Sequence, residues 1–244
     1  MRYLGNKSKL LGFIEEIIEK HHIEGESFSD LFAGTCSVGD FFKDKYQIIA
    51  NDYMYFSKII SDAKILNTAI PSFKKFKKKY KSTPFVYLNS KEYVAKNNYF
   101  VLNHYSPKGN RMYFNESNAT KIDGMRLDIE EFYKEEYINY KEYAFLLASL
   151  LGSVLKVSNT SGTYQAFFKF WESRSIKTLE ITPIDIKVSK SVNKKNISYN
   201  LNTNKLVRQI SGDIVYIDPP YTITQYTNSY HVLETIARYD YPEL

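Results

Sequence analysis

The sequence is poor in the residues that build disulfide and metal frameworks. It has one cysteine and four histidines among 244 residues. A single cysteine excludes a disulfide framework and a cysteine-based zinc site. The histidines show no ligand spacing, since His21 and His22 are adjacent, and we therefore expect no metal site. Nor do serine, histidine and aspartate form the nucleophile elbow of a hydrolase anywhere in the chain.

Long hydrophobic runs are also missing. No run approaches the roughly 20 apolar residues that cross a bilayer, and the first residues lack the pattern of a signal peptide. With 43% hydrophobic and 25% charged residues, the chain can still bury a core. These features predict a cytoplasmic globular protein without a membrane partner.

Positive charge exceeds negative charge. The net charge of +6 and a pI near 9.0 favour a polyanionic partner such as nucleic acid. A similar lysine- and asparagine-rich composition arises from codon bias in an A/T-rich genome, so composition alone leaves the partner open. The basic run at residues 73–81 is either a solvated helix face or a surface that contacts phosphates.

The first quarter of the chain alternates between strand and helix patterns. Apolar residues at helical spacing from Leu10 to Ile18 predict a helix that ends near His21. A short buried strand at residues 28–32 then runs into a glycine turn and a helix start near Val38. A second strand at residues 47–50 and a helix near residues 56–66 follow. This order predicts the opening of a parallel α/β sheet.

The middle of the chain has a different composition. Up to about residue 137 it is rich in Tyr, Asn, Lys and Ser, and we expect short strand-like pieces separated by turns, one of them at residues 123–124 (Asp-Gly). A buried helix over residues 143–157 follows. Near the end, the apolar run at residues 214–217 predicts a buried strand, and Val232 to Ala237 form a helix pattern.

The most informative motif is the Asp-Pro-Pro-Tyr sequence at residues 218–221. A buried strand that delivers these residues places the acid at the carboxyl edge of the sheet, where α/β proteins bind ligands. Because proline has no N–H, the Asp218 carboxylate and the Pro219 carbonyl are both acceptors, which suits a group with two N–H donors such as the exocyclic amine of a base. Tyr221 supplies a flat face for stacking. The bland alternative is a proline-rich turn after a strand.

A glycine loop after the first strand indicates a nucleotide-like ligand. Asp52 lies about twenty residues beyond the acid of the first strand, the distance at which α/β sites present a carboxylate to ribose hydroxyls; alone it would read as a turn former. As a dinucleotide fingerprint, Gly34-x-Cys36-x-x-Gly39 lacks the middle glycine, which counts against NAD or FAD. Cys36 itself either narrows the ligand pocket or is a small buried residue at a helix start.

Together these motifs resemble the alpha group of amino-group DNA methyltransferases (Dam-like, D12 class). Residues 30–36 resemble the cofactor loop of that family, with Cys36 in place of its second glycine, and residues 2–7 (Arg-Tyr-Leu-Gly-Asn-Lys) resemble its N-terminal cofactor motif. Residues 159–171 and 221–239 resemble the subgroup found in type IIS restriction–modification systems. The resemblance covers the whole chain and is weakest in the middle.

The resemblance implies an α/β, Rossmann-like S-adenosylmethionine-dependent methyltransferase fold with an inserted target-recognition region. It implies an N-terminal cofactor-binding half at residues 1–69, the insert at 70–140, and a return to the catalytic domain at 141–244. The family sheet continues with three further strands after Asp-Pro-Pro-Tyr. We therefore expect a sheet that lacks its last strands and a chain that is truncated or completed by a separate C-terminal chain.

The implied activity is methyl transfer from S-adenosylmethionine to the exocyclic amine of adenine in double-stranded DNA, within a restriction–modification system. Tyr3 would pack on the cofactor adenine, Lys7 would pair with its carboxylate and Asp52 would hold its ribose. The full set implied for catalysis is Asp218, Pro219, Pro220 and Tyr221; for the cofactor, Tyr3, Lys7, Asp30, Phe32, Gly34, Asp52, Tyr53 and Asp218; and for DNA, Lys74, Lys75, Lys77, Lys78, Arg111 and Arg126.

Three alternatives stay open at this point. The target could be the 4-amino group of cytosine or an adenine in RNA, since both present two N–H donors. The chain could be a truncated or split fragment that binds DNA or cofactor but is inactive alone. The third alternative is an unrelated nucleotide-dependent enzyme. The main hypothesis requires Asp218 to lie at the same edge as Gly34 and Asp52.

Overall fold

In the computed structural model, residues 6–193, 195–219 and 226–243 are described. The chain forms two compact units. We call Arg2–Pro71 with Asp185–Thr222 the sheet unit, and Ser72–Ile184 with Ile223–Leu244 the helical unit. None of the described helices is long and apolar enough to cross a membrane.

The sheet unit is an α/β arrangement around parallel strands, which confirms the predicted fold class. Its described strands form one sheet in the order β3-β2-β1-β4, all parallel, with Phe28 of β1 between Ile48 of β2 and Ile214 of β4. The elements of this unit in chain order are α1 (Leu11–Lys20), β1 (Ser27–Asp30), α2 (Ser37–Phe42), β2 (Gln47–Asn51), α3 (Tyr55–Ile65), β3 (Ile197–Tyr199), α9 (Thr203–Leu206) and β4 (Ile214–Tyr216). Helices α4 to α8 lie between α3 and β3 in the chain and belong to the helical unit.

The core of the sheet unit lies between β1 and the helices that follow the strands. Phe28 stacks on Phe42 of α2 with the ring centroids 5.0 Å apart, and both rings are buried. Helix α1 packs on this core through Leu11, Ile14 and Ile18, which follow helical spacing. Burial of these apolar side chains holds α1 and α2 against the sheet.

Asn51, the last residue of β2, ties several chain segments together. Its side-chain N–H groups donate to the carbonyl of Leu31 and to the carbonyl of Leu201, each at 3.2 Å. Its side-chain oxygen accepts from the Leu201 N–H at 3.1 Å. Thr203 of α9 also donates to the Leu31 carbonyl. The turn after β1 is therefore fixed by buried hydrogen bonds rather than left to solvent.

The helical unit corrects the expectation for the middle of the chain, because the predicted strand-like pieces are helices. Its elements are α4 (Lys74–Tyr80), α5 (Pro84–Ser90), α6 (Phe100–Tyr105), a 3-10 turn (Pro107–Gly109), α7 (Glu116–Lys134), α8 (Tyr140–Val154) and α10 (Tyr226–Arg238).

The predicted turn at Asp123-Gly124 is wrong, since both residues lie inside α7. A Cβ on Gly124 would come within 2.1 Å of the Tyr93 ring, so the glycine makes room for that ring against the helix. The Asp123 carboxylate accepts from the Val101 and Leu102 N–H groups at the start of α6. Tertiary contacts thus override a local turn signal.

The helical unit extends beyond the range expected for the insert. It continues to Ile184, whereas the predicted insert covers residues 70–140. The physical reason is the packing of α8 on α7, where Tyr143 donates to Glu130 at 3.0 Å and most of α8 is buried. Recognition of the DNA target by this unit stays a prediction.

Candidate active site

Three acidic residues follow neighbouring strands of the sheet. Asp30 is the last residue of β1, Asp52 directly follows β2, and Asp218 comes two residues after β4. Because the strands are parallel, their carboxyl ends lie at one edge of the sheet. The carboxyl of Asp30 is electrostatically coupled to both Asp52 and Asp218, so the three acids share one site. This is the arrangement that the main hypothesis requires.

Asp52 fixes the glycine loop. Its carboxylate accepts a hydrogen bond from the Gly34 N–H at 2.8 Å through one oxygen, and one from the Met54 N–H at 2.9 Å through the other. Gly34 has φ +51°, a conformation that glycine adopts without a steric penalty. The loop after β1 and the start of α3 are thus held by one carboxylate.

Cys36 belongs to the core rather than to the open edge. Its side chain is fully buried in the hydrophobic cluster around Phe28, and its backbone has φ +51°. Burial raises the pKa of the thiol to about 12, so the group stays protonated and unreactive. The structure therefore supports the interpretation of Cys36 as a small buried residue at a helix start.

Asp30 is the most deeply buried of the three acids. It is only 1% exposed, and its Oδ1 has no hydrogen-bond partner among the described residues. Burial, together with the charges of Asp52 and Asp218, raises its pKa to about 7, while the Phe32 N–H and the Lys7 ammonium act in the opposite direction. A carboxyl in this state exchanges its proton near neutral pH.

Lys7 reaches the same edge from the N-terminal segment. Its ammonium forms an ion pair with Asp218 Oδ2, and both side chains are largely buried. The preceding residue helps to position it, because the Asn6 side-chain oxygen accepts from the Ser37 hydroxyl at the start of α2. The predicted residues Lys7, Asp30, Gly34, Asp52 and Asp218 are therefore brought together.

The remaining predicted site residues of the sheet unit lie around this cluster or outside the described residues. Phe32 is half-buried, whereas Tyr53 is 67% exposed and Pro219 is exposed. An exposed aromatic ring at a strand end is free to pack on a flat ligand. Tyr3, Pro220 and Tyr221 lie outside the described residues.

The residues expected to contact DNA fall into different environments. Lys74, Lys75, Lys77 and Lys78 are exposed on α4, whose Phe76 is buried against Phe132 of α7 with ring centroids 4.8 Å apart. Helix α4 contains no acidic residue, so it presents a uniformly positive face. These lysines are well placed to meet a polyanion.

The two arginines differ from the lysines. Arg111 is half-buried and donates to the His104 carbonyl at 3.0 Å. Arg126 is only 4% exposed and donates to the Ile236 and Ala237 carbonyls in the last turn of α10, at 2.9 and 3.1 Å. It also pairs with Glu130 at 2.9 Å. Its guanidinium already binds groups of α7 and α10, which argues against the predicted DNA contact.

Sequence reasoning missed the residues that support the site. Asn200 donates to the carbonyls of Asp52 and Tyr53 at 2.9 and 2.8 Å, and Asn51 braces the turn after β1. The only signal in the sequence was the asparagine directly before Asp52 at the strand end. Asn200 gave none, because β3 is three residues long and was not predicted.

A known protein family matches nearly the whole chain. The family described as D12 class N6 adenine-specific DNA methyltransferase matches residues 3–244. The chain belongs to this family. The resemblance drawn from the motifs is thereby confirmed.

Several relatives of this D12 chain are named as methylases or methyltransferases. Modification methylase LlaI of Lactococcus lactis subsp. lactis is 65% identical over 244 residues, which is all of this chain and 39% of LlaI. Type II methyltransferase M.FokI of Planomicrobium okeanokoites is 43% identical over 247 residues, covering 100% of this chain and 38% of M.FokI. Type II methyltransferase M.NlaIII of Neisseria lactamica is 36% identical over 246 residues, 98% of this chain and 70% of that protein.

The chain thus spans about two fifths of the length of LlaI and M.FokI. Membership of the D12 family implies a methyl donor and a DNA substrate for the enzymes of that class. The matches give no support for a separate complementing chain.

Proposed function

We propose that this D12 chain transfers a methyl group from S-adenosylmethionine to the exocyclic amine of adenine in double-stranded DNA, as the modification activity of a restriction–modification system. The observation that carries the proposal is the cluster of Lys7, Asp30, Asp52 and Asp218 at the carboxyl edge of the sheet. Family membership and the names of the relatives support the same reaction.

The residues of this edge fit S-adenosylmethionine chemically. When bound, this cofactor would supply a methyl group on a sulfonium, whose sulfur is a good leaving group because it departs as a neutral thioether. The Asp30 Oδ1 is a buried acceptor without a described partner and suits a cationic ligand. Asp52 would hold the ribose hydroxyls of the cofactor. The Lys7 ammonium has three donors and would also pair with the carboxylate of the cofactor. Phe32 and Tyr53 border the site with aromatic surface.

Asp218 and Pro219 would act directly on the target amine. Their carboxylate and carbonyl oxygens would accept its two N–H groups, which favours a pyramidal nitrogen and frees its lone pair. Electrostatics and positioning then supply most of the rate enhancement. A separate general base is not needed, because the proton can leave the amine after the transfer. Pro220 and Tyr221 keep their proposed roles, with Tyr221 stacking on a base flipped out of the duplex.

The lysines of α4 would bind the DNA backbone without reading sequence. Lys74, Lys75, Lys77 and Lys78 are exposed, and no acidic side chain of the described residues forms an ion pair with them. Each phosphate neutralised by such a lysine contributes about 0.9 to the slope of log K against log salt. Replacing the four by glutamine is therefore expected to reduce this slope by up to about 3–4.

The decisive experiment for the reaction is the Asp218→Ala variant on mixed-sequence DNA, with nucleoside mass spectrometry of the product. We expect the wild-type chain to form N6-methyladenine and the variant to lose about 10²–10³-fold or more in rate. Cofactor affinity should stay within a few-fold. Asp185→Asn, at an exposed acid of the sheet unit, is the matched control.

Two results would contradict the proposal. Retained turnover in Asp218→Ala would remove that residue from the chemistry. N4-methylcytosine as the product would assign the reaction to cytosine instead. For the α4 lysines, the control is Lys134→Gln, since the Lys134 side chain is 70% exposed in the same unit; equal slopes in the two variants would refute the α4 contact.

A further inference from the structure

The buried carboxyl of Asp30 is an unusual feature of the sheet edge. It is 1% exposed, and one of its oxygens lacks a partner among the described residues. A buried ionised carboxylate is stable only when it is paired or hydrogen-bonded. Without a ligand, the Phe32 N–H and the Lys7 ammonium favour the charged form of Asp30 but do not offset the effect of burial.

Several titratable groups face Asp30 from every element around it. Two of them, Asp52 and Asp218, are carboxylates whose charges oppose its ionisation, whereas the Cys36 thiol and the Tyr216 phenol are neutral near pH 7. The Lys7 ammonium, the cation that could offset this repulsion, is already paired with Asp218. The groups coupled to Asp30 are Asp52 after β2, Asp218 and Tyr216 of the β4 segment, Cys36 before α2 and Lys7 of the N-terminal segment.

We propose that a positively charged ligand at this edge binds together with ionisation of Asp30, so that uptake of S-adenosylmethionine releases the Asp30 proton to the solvent. The inference rests on the proposed function for the identity of the ligand. The balance is simple: the Asp30 O–H breaks, the proton goes to buffer, and the carboxylate remains beside the ligand. The ligand carries a sulfonium and an ammonium against one carboxylate, so its net charge is positive.

The environment of Asp30 determines that ligand binding releases a proton rather than taking one up. Because burial and neighbouring acids raise its pKa to about 7, Asp30 is about half protonated at pH 7 in the free protein. A nearby cation in a low-dielectric site favours the charged carboxylate. Binding should therefore release about half a proton at pH 7, about one at pH 6 and about a tenth at pH 8.

The test is isothermal titration calorimetry of S-adenosylmethionine in buffers with different ionisation enthalpies. The dependence of the observed heat on the buffer gives the number of protons released. We expect the values above, together with a Kd that falls about tenfold per pH unit well below pH 7. Asp30→Asn should bind without proton release and with a nearly pH-independent Kd, while Asp185→Asn should behave as wild type.

A neutral ligand tests whether proton release depends on the charge of the ligand or only on occupation of the site. Methylthioadenosine lacks the amino-acid part and the sulfonium, and it should bind the wild-type chain without proton release. Equal proton release with this ligand, or S-adenosylmethionine binding without release between pH 6 and 8, would overturn the inference even if Asp30→Asn does not fold. Absence of S-adenosylmethionine binding would refute the proposed function first, and the inference with it.

Discussion

Replacement of Arg126 by methionine tests whether this residue supports the fold or binds DNA. The guanidinium of Arg126 makes charge-assisted hydrogen bonds to two carbonyls in the last turn of α10 and pairs with Glu130. Methionine fills similar space but donates nothing. The variant therefore leaves two carbonyls without their donor and removes one partner of Glu130, at a position where Arg126 is only 4% exposed.

The expected loss of stability is large for a single side chain. Charged hydrogen bonds contribute roughly 1.5–3 kcal/mol each, and breaking a buried ion pair costs roughly 3–5 kcal/mol. These terms overlap, so we expect Arg126→Met to lower the unfolding free energy by about 3–5 kcal/mol. Arg126→Lys keeps the charge but not the planar fork, and should fall between the variant and wild type.

Urea unfolding followed by tryptophan fluorescence suits this measurement. Trp171 is the single tryptophan of the chain and lies in the helical unit together with Arg126. Lys77→Met, at an exposed lysine, should change stability by less than about 0.5 kcal/mol. If Arg126→Met lost less than about 1 kcal/mol, or if it reduced the salt slope of DNA binding while leaving stability intact, the packing role would be refuted.

Three further predictions concern the sheet unit. Lys43→Met should cost about 3 kcal/mol in urea unfolding, because the buried Lys43 ammonium contacts Asp40 and the carbonyls of Lys64 and Asn67 at 2.8–3.0 Å; a loss under 1 kcal/mol would contradict this. Cys36→Gly should be about 1 kcal/mol more stable than Cys36→Ala, since glycine relieves the positive φ; the reverse order of midpoints would refute the strain. Because the pKa of Asp30 is raised, the folded state binds its proton more tightly, and wild type should lose roughly 1 kcal/mol per pH unit between pH 4 and 7; Asp30→Asn, measured by thermal unfolding across that range, should lack this loss, and parallel curves would contradict the assignment.

The strands that build the site were predictable from local pattern. Apolar runs at residues 28–32, 47–50 and 214–217 correspond to β1, β2 and β4 within two residues at each end. The acids at their ends could be assigned to one edge because parallel strands share their direction. Strand β3 could not be found, because only Ser198 of its three residues is buried.

The helical unit was harder to predict because its structure depends on distant contacts. Gly124 reads as a turn locally but leaves space for Tyr93, thirty-one positions earlier in the chain. Arg126 reads as an exposed basic residue, and its carbonyl partners lie 110 and 111 residues away. No pattern within a short window reports such pairings.

The double anchoring of Asp52 has a consequence for ligand recognition. Both of its carboxylate oxygens are held by backbone N–H groups, and Asn200 fixes the peptide on either side of Tyr53. A side chain that is immobilised before any encounter loses almost no rotamer entropy when a partner arrives. The Asp52 carboxylate therefore selects a partner by how well the donors of that partner fit two oxygen atoms in fixed positions. The longer side chain of an Asp52→Glu variant would have to break the hydrogen bonds to the backbone in order to reach the same partner.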